Sequence, residues 1–428
     1  MRPPSCVALL DCNNFFVSCE RARNRELEKV PVAVLSSNDG CIIARSEEVK
    51  ALGIPMGMPY FKAQPIIKEH NIRIFSLNYT LYTETSARIM DLILYYAPNA
   101  EVYSIDEAFL DLSGMQYIDL NKFLTDLKNR IWEEMRIPVC IGVGPGKALA
   151  KLANRIAKKK KTTGIEVLMD SKSQEEALRA TEVGDIWGVG RRNQMKLNKL
   201  GIKTGWDLRQ ASPSLMRRIG SIIEVRLVRE LKGESCLMVD NYREPKKHIL
   251  SSRSFGKKIT TLHHAQEALT FLTSIAIRKL HKEKLATSYI RIYLSTARYN
   301  EPNIATVSEY IQLTAATDYP PDILYHVLQL VEKAFNTDYR FAKGGVIFAG
   351  LVAQGQVQGS LFEQAVDTKE EKVKALVNRL NRNQGGKKVI DWAGFQINDT
   401  SWMPKSEYRT EHEVEVDDEL YDTARPWW

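Results

Sequence analysis

Cysteine is scarce and irregularly placed in this chain. Cys6, Cys12, Cys19, Cys41, Cys140 and Cys236 form no Cys-x-x-Cys pair and no regular framework. That argues against a zinc ribbon and against a disulfide scaffold, and the six read as reduced thiols used in packing. No apolar run approaches the ~18 residues that a membrane helix needs. The N-terminus enters a strand-like run at once and lacks the layout of a signal peptide. Together these features predict a cytoplasmic protein with no membrane partner. No internal repeat of fixed period is present. Gly142-Val143-Gly144-Pro145-Gly146-Lys147 looks like a phosphate loop but lacks the four-residue gap before Gly-Lys. Ala148 also stands where a Mg²⁺-binding hydroxyl would be, which excludes a P-loop ATPase.

The chain does have enough apolar material for globular cores. Its 428 residues are 44% hydrophobic, and the length suits two to four domains. The net charge of +8 favours a polyanionic partner.

The strongest chemical signal is a carboxylate set. Asp106 and Glu107 lie at a turn between two strand-like runs, Glu101 to Ile105 and Ala108 to Leu112. Asp11 ends another apolar run, Val7-Ala8-Leu9-Leu10. Neighbouring strands that end at one sheet edge would bring the three together. A lone buried carboxylate is costly, and a cluster repels itself unless cations fill it; hard oxygen donors suit Mg²⁺. Two such ions about 3.5–4 Å apart activate an attacking oxygen and stabilise a leaving one, which is the chemistry of nucleotidyl transfer. The plain alternative is that Asp106 and Glu107 are ordinary turn residues.

Residues 1–35 read as strand, helix, strand, and residues 45–78 as short helical pieces punctuated by Gly53, Pro55, Gly57 and Pro59. Helices are predicted from Leu81 to Tyr95, from Asp119 to Met135 and from Lys147 to Lys158, with a strand from Val139 to Val143. Residues 175–240 form a helical block. Within it, Ile186-Trp187-Gly188-Val189-Gly190 precedes a predicted helix and looks like a helix-hairpin-helix. Gly188 and Gly190 would let backbone N–H groups approach a DNA phosphate, with Arg191, Arg192 and Lys196 beside them. A tight helix–helix turn is the alternative. Residues 241–250 read as a linker. From 251 to 353 the order strand, helix, strand, strand, helix, strand predicts a split βαβ domain with an open sheet face. Arg253, Lys257, Lys258, Arg291 and Arg298 would line that face, with a solvated basic surface as the alternative.

Several of these stretches resemble one family. Asp11-Cys12-Asn13-Asn14-Phe15-Phe16, Tyr103-Ser104-Ile105-Asp106-Glu107-Ala108-Phe109, Lys151-Leu152-Ala153-Asn154 and Ser252-Arg253-Ser254-Phe255-Gly256 are similar to motifs of the Y-family translesion DNA polymerases. Ser37-Asn38-Asp39-Gly40-Cys41 and Trp187-Gly188-Val189-Gly190-Arg191-Arg192 resemble its bacterial UmuC branch. The resemblance spans roughly residues 6–362.

The resemblance implies a multidomain α/β right-hand polymerase. The palm would be 1–35 and 80–175, the fingers 36–79, the thumb 176–240, the little finger 251–353 and a C-terminal tail 354–428. It makes Asp11, Asp106 and Glu107 the catalytic, metal-binding carboxylates of two Mg²⁺ ions, with the Cys12 carbonyl as a further ligand. Phe16 would be the steric gate against a 2′-hydroxyl; close relatives carry Tyr there, and Phe keeps the bulk without the phenol. Lys50 of the fingers and Lys158 of the palm would hold the dNTP triphosphate, with Arg45 near the nascent pair or a phosphate. Gln358-Gly359-Ser360-Leu361-Phe362 is similar to a β sliding-clamp motif, with Gln358, Leu361 and Phe362 as anchors and Gly359 in place of a usual Leu. The implied partners are primer-template DNA, dNTPs, the β clamp, a cleaved UmuD dimer and RecA. The implied function is error-prone synthesis past lesions in the SOS response. Two competing classes are a non-catalytic DNA-binding protein that occupies primer ends and a template-free cyclase. The complete carboxylate set argues against the first. The hairpin and the basic little finger argue against the second.

Overall fold

The computed structural model describes residues 5–97, 99–115, 117–160, 162–240, 245–297, 303–354, scattered positions between 372 and 394, and 400–410. The chain opens with β1 (Val7–Cys12), α1 (Phe15–Arg23), β2 (Val32–Leu35), β3 (Ile42–Arg45), α2 (Glu47–Ala51), α3 (Tyr60–Glu69) and β4 (Arg73–Phe75). Then follow α4 (Tyr79–Tyr96), β5 (Ala100–Val102), β6 (Glu107–Asp111), α5 (Leu120–Met135), β7 (Val139–Gly144), α6 (Lys147–Lys160) and β8 (Ile165–Val167).

The first sheet has the order β5-β6-β1-β7-β8. Its central strand β1 is buried along its whole length, so alternate residues serve two cores. Ala8, Leu10 and Cys12 pack with helices α1, α4 and α5. Val7 and Leu9 face Ala150 of α6 on the other side. Helix α6 lies very close to β7 because Gly142 has no side chain: a Cβ there would stand 1.9 Å from the Asn154 nitrogen. The Asn154 amide then donates to the carbonyls of Cys140 (2.8 Å) and Leu9 (3.3 Å), fixing the helix against the sheet.

A second sheet has the order β3-β2-β4, with β2 parallel to β4. Strand β2, expected in the palm, thus pairs with strands of the stretch expected as fingers. Val32 and Val34 join the core beneath the first sheet, whereas Ala33 and Leu35 join the core beside β3, α2 and α3. Strand β4 has only three residues and was not foreseen among the helical pieces.

The helical block comprises α7 (Ser171–Arg179), α8 (Arg191–Lys199), α9 (Gly205–Gln210), α10 (Pro213–Ile219) and α11 (Ile222–Leu231). It closes on a core shared with Leu149, Leu152 and Ala153 of α6. The last domain runs β9 (His248–Ile259), α12 (Leu262–Lys282), β10 (Leu285–Thr296), β11 (Thr306–Thr317), α13 (Pro320–Ala334) and β12 (Phe341–Ala353). Its sheet order, β11-β10-β12-β9, separates each βαβ pair by one strand. Strand β9 already begins at His248, inside the stretch expected as linker. Ile290, Ile292 and Leu294 point into the core under the helices. Among the described residues no helix is long and apolar enough to cross a membrane.

Candidate active site

Strands β1 and β6 are antiparallel, so the end of one meets the start of the other. Asp11 is paired directly with Glu107. The Cys12 N–H donates to the Asp106 carbonyl at 2.8 Å, and the N–H groups of Tyr103 and Ser104 both donate to the Glu107 carbonyl at 3.0 Å. These backbone bonds fix the turn that carries the carboxylates. The Ser104 hydroxyl donates to the Asp106 carboxylate in turn.

The site is electrostatically crowded. Burial pushes the Asp11 carboxyl up to about 8; Lys158 opposes this, while Glu107 and Asp106 add to it. Burial also raises Asp106, against the Ser104 hydroxyl and with the charge of Glu107. Both shifts express the same strain, which is negative charge gathered out of water.

Helix α6 supplies the compensating cations. Lys158 Nζ lies 2.5 Å from Asp11, Lys151 Nζ 3.0 Å from Glu107 and Lys147 Nζ 2.6 Å from Glu101. Positions 147, 151 and 158 share one helix face. Lys151 was not foreseen as a site residue, although its i+4 and i+7 relations to Lys147 and Lys158 carry the signal. Its ammonium also stands 4.4 Å from the Tyr103 ring centre and 5.3 Å from that of Trp187, which enters from the helical block.

Among the described residues no three His, Cys, Asp or Glu side chains are already set as a ligand shell. The donor chemistry nevertheless fits a hard divalent cation. Three carboxylates come together at a partly buried edge, where Asp11 is buried and Asp106 and Glu107 are half-buried, and all their donors are oxygen.

Phe16 lies in the first turn of α1, which follows β1 and Asp11 in the chain. Its ring stacks on that of Tyr82, with centroids 4.4 Å and planes 14° apart. The Tyr82 hydroxyl donates to the buried carboxylate of Glu20 at 2.7 Å. Lys50 is exposed and donates to Asn14 and to Glu47, both at 2.6 Å. It therefore sits close to the residues leading into Phe16. Arg45 is half-buried and donates to the Ile54 carbonyl, so that nitrogen serves the local fold.

In the helical block, Gly188 has φ +93°, a conformation that favours glycine, and Gly190 has open space where a Cβ would be. Gly190 caps α8, and Arg191 and Arg192 are exposed in its first turn. Lys196 instead donates to the Ile219 carbonyl at 2.7 Å.

The phosphate-loop lookalike has an internal anion. Glu230 of α11 is fully buried and accepts from the Ala148 N–H at the start of α6 at 3.2 Å. It also accepts from the N–H groups of Cys236 and Leu237 at 2.6 and 2.9 Å. A Cβ at Gly146 would lie 2.4 Å from its carboxylate. The glycines there admit a carboxylate of the next domain to the helix N-terminus.

In the last domain Arg291 is exposed on the open sheet face, opposite Tyr310 and Ile347. Arg253 is not there. It pairs with Gly344, which pairs with Leu294, and this register turns it toward the helix-covered face at the edge strand. Lys257 and Lys258 are exposed on the same edge strand. Arg298, Gln358, Leu361 and Phe362 lie outside the described residues.

The impB/mucB/samB family matches residues 10–155, and the C-terminal domain of that family matches residues 246–361. The chain is 36% identical to the protein UmuC of Salmonella typhimurium, covering 94% of this chain and 96% of the relative. It is 35% identical to the protein MucB of Escherichia coli over 92% of this chain and 94% of the relative. DNA polymerase IV 1 of Bacillus subtilis is 27% identical over 89% of this chain and 91% of the relative. A solved Y-family DNA polymerase chimera, Dbh-Dpo4-Dbh, superposes with a TM-score of 0.66 at 21% identity, over 81% of this chain and 99% of the other. The chain therefore belongs to the impB/mucB/samB family and has the fold of a Y-family DNA polymerase.

Proposed function

We propose that this protein is an error-prone, template-directed DNA polymerase that copies past lesions in the SOS response. The observation that carries the reading is the meeting of Asp11, Asp106 and Glu107 at one partly buried sheet edge, faced by the lysines of α6. Kinship with UmuC, MucB and a DNA polymerase IV supports it.

In this reading Asp11, Asp106 and Glu107, with the Cys12 carbonyl, would hold two Mg²⁺ ions. Bound there, the ions supply activation of the primer hydroxyl and neutralisation of the leaving phosphates. Lys158 of α6 and Lys50 of α2 hold the triphosphate and neutralise its charge, with Arg45 near it. Lys158 leaves Asp11 when the site is charged with substrate. Phe16 closes the pocket under the sugar and disfavours a 2′-hydroxyl. The backbone at Gly188 and Gly190, with Arg191 and Arg192, grips duplex phosphates. Lys257 and Arg291 hold the duplex from the last domain; Arg253 does so only by reaching round its edge strand. The short fingers, rich in Gly and Pro, leave room for a damaged base.

Palm, fingers, thumb and little finger are the working modules of this reading. The tail would bind the β sliding clamp through Gln358, Leu361 and Phe362, and a cleaved UmuD dimer and RecA are the further partners. The test is primer extension on undamaged and abasic templates. Extension past the abasic site by wild type and none by Asp106→Ala supports the reading. Template-independent nucleotide turnover, or equal extension by the variant, overturns it.

A further inference from the structure

Residues 400–410 cross three modules. At one end Trp402 is buried in the little-finger core, edge-on to Phe255 and Phe271. Its carbonyl accepts from the Gly256 N–H at 2.8 Å. Only glycine fits at 256, where a Cβ would stand 2.2 Å from the Met403 carbonyl oxygen. The segment then runs onto the fingers. The Lys405 N–H donates to Asn38 at 2.9 Å, the Glu407 N–H to the carboxylate of Asp39 at 2.8 Å and the Tyr408 N–H to the Ser76 hydroxyl at 2.9 Å. The Tyr408 and Tyr60 hydroxyls are 3.0 Å apart. At the far end the Thr410 hydroxyl donates to Glu20 at 2.9 Å. Glu20 is 1% exposed and also receives the Tyr82 hydroxyl, and Tyr82 carries the Phe16 ring.

We propose that residues 400–410 are a strap and that Thr410 is a positioning residue for sugar selection. It acts through Glu20 and Tyr82 on Phe16, and it is in place only while Trp402 holds the strap to the little finger. This rests on the reading of Phe16 as the steric gate. A buried carboxylate needs its donors. Loss of Thr410 removes one of the donors that position Glu20, and Tyr82 with the ring stacked on it then shifts with the carboxylate. These strap contacts fall on Asn38, Asp39, Tyr60, Ser76 and Glu20 and not on Asp11, Asp106, Glu107, Lys50 or Lys158, so the strap acts on selection rather than on the transfer step. The fingers also touch the little finger directly, through the Asn38 amide and the Ser254 carbonyl at 3.1 Å. The strap therefore reinforces an existing contact and extends it to the gate.

The test uses the full chain as wild type, Thr410→Val, Thr410→Ser, Trp402→Ala and Phe16→Ala. The first readout is the ratio of kcat/KM for a dNTP and the matching rNTP. Thr410→Val should lose about three- to tenfold of this preference, part of the worth of one hydrogen bond to a charged group because the effect reaches the ring through Glu20 and Tyr82, chiefly through a lower KM for the rNTP. Thr410→Ser should keep it. Trp402→Ala combined with Thr410→Val should lose no more than the larger single effect, since both open one unit. The second readout, hydrogen exchange of the α1 amides, should quicken in Thr410→Val and not in Thr410→Ser. If Phe16→Ala loses sugar preference while Thr410→Val keeps both the preference and slow α1 exchange, the strap has no such role. If Phe16→Ala itself changes nothing, the gate reading fails. The exchange measurement then decides alone whether Thr410 supports α1.

Discussion

The ring of Phe16 lies flat on that of Tyr82, and the hydroxyl of Tyr82 is spent on the buried carboxylate of Glu20. One face of the proposed gate is thus backed by a second ring that is itself anchored. Phe16→Ala removes the wall under the sugar and should raise ribonucleotide use by on the order of 10- to 100-fold. Unchanged sugar discrimination would take Phe16 out of this role. Tyr82→Phe keeps the stack and removes a donor to a buried carboxylate. It should cost about 1–3 kcal/mol in denaturant unfolding.

Lys151 is the standing counter-charge of Glu107. Lys151→Met leaves that carboxylate beside Asp11 and Asp106 without its cation. In chelator the variant should be less stable than wild type by about 1–3 kcal/mol, and added Mg²⁺ should recover more stability than it adds to wild type. Equal Mg²⁺ responses in thermal unfolding would show that Lys151 does not balance the cluster.

Asp11 ties stability to pH in the metal-free protein. Its carboxyl is raised to about 8 from an ordinary 3.8, so the folded chain holds a proton that the unfolded chain releases. The contribution is present in full below about pH 4 and is lost as pH rises through about 8. Unfolding in chelator should therefore show stability falling over that window, and Asp11→Asn should flatten the fall. A wild-type curve that rises across the window would contradict the assignment.

The carboxylate of Glu230 holds the start of α6, the helix that carries Lys147, Lys151 and Lys158. Glu230→Gln puts an amide donor where three N–H groups already point. Gly146→Ala drives a methyl into the same carboxylate. Each should destabilise by about 1–3 kcal/mol, and Glu230→Gln should also slow catalysis by loosening α6. Circular dichroism melts together with extension rates check both.

Much of this was legible in the residues because it is local. The turn before Glu107 and the apolar run ending at Asp11 marked the site without a partner structure. The order of elements in the last domain was plain from alternation, as in Ile290, Ile292 and Leu294. What escaped notice depends on distant partners. Strand β4 is three residues long and exists because it lies parallel to β2; nothing in Arg73-Ile74-Phe75 alone declares it. Arg253 has the right charge, but register decides its face. Gly142 and Gly146 lie in a segment whose spacing already excludes a true phosphate loop, but nothing local shows that their small size serves Asn154 and Glu230. Lys151 was hidden among lysines until Trp187 and Tyr103 closed on it.

The most direct measurement is single-nucleotide incorporation on a primer-template, with DNA affinity determined on the same samples. Wild type is compared with Asp106→Asn and Glu107→Gln. Affinity should stay within a few fold of wild type while incorporation falls by on the order of 10³-fold or more in both variants. Incorporation that persists in both at the wild-type rate would mean that the carboxylate edge is not the catalytic centre.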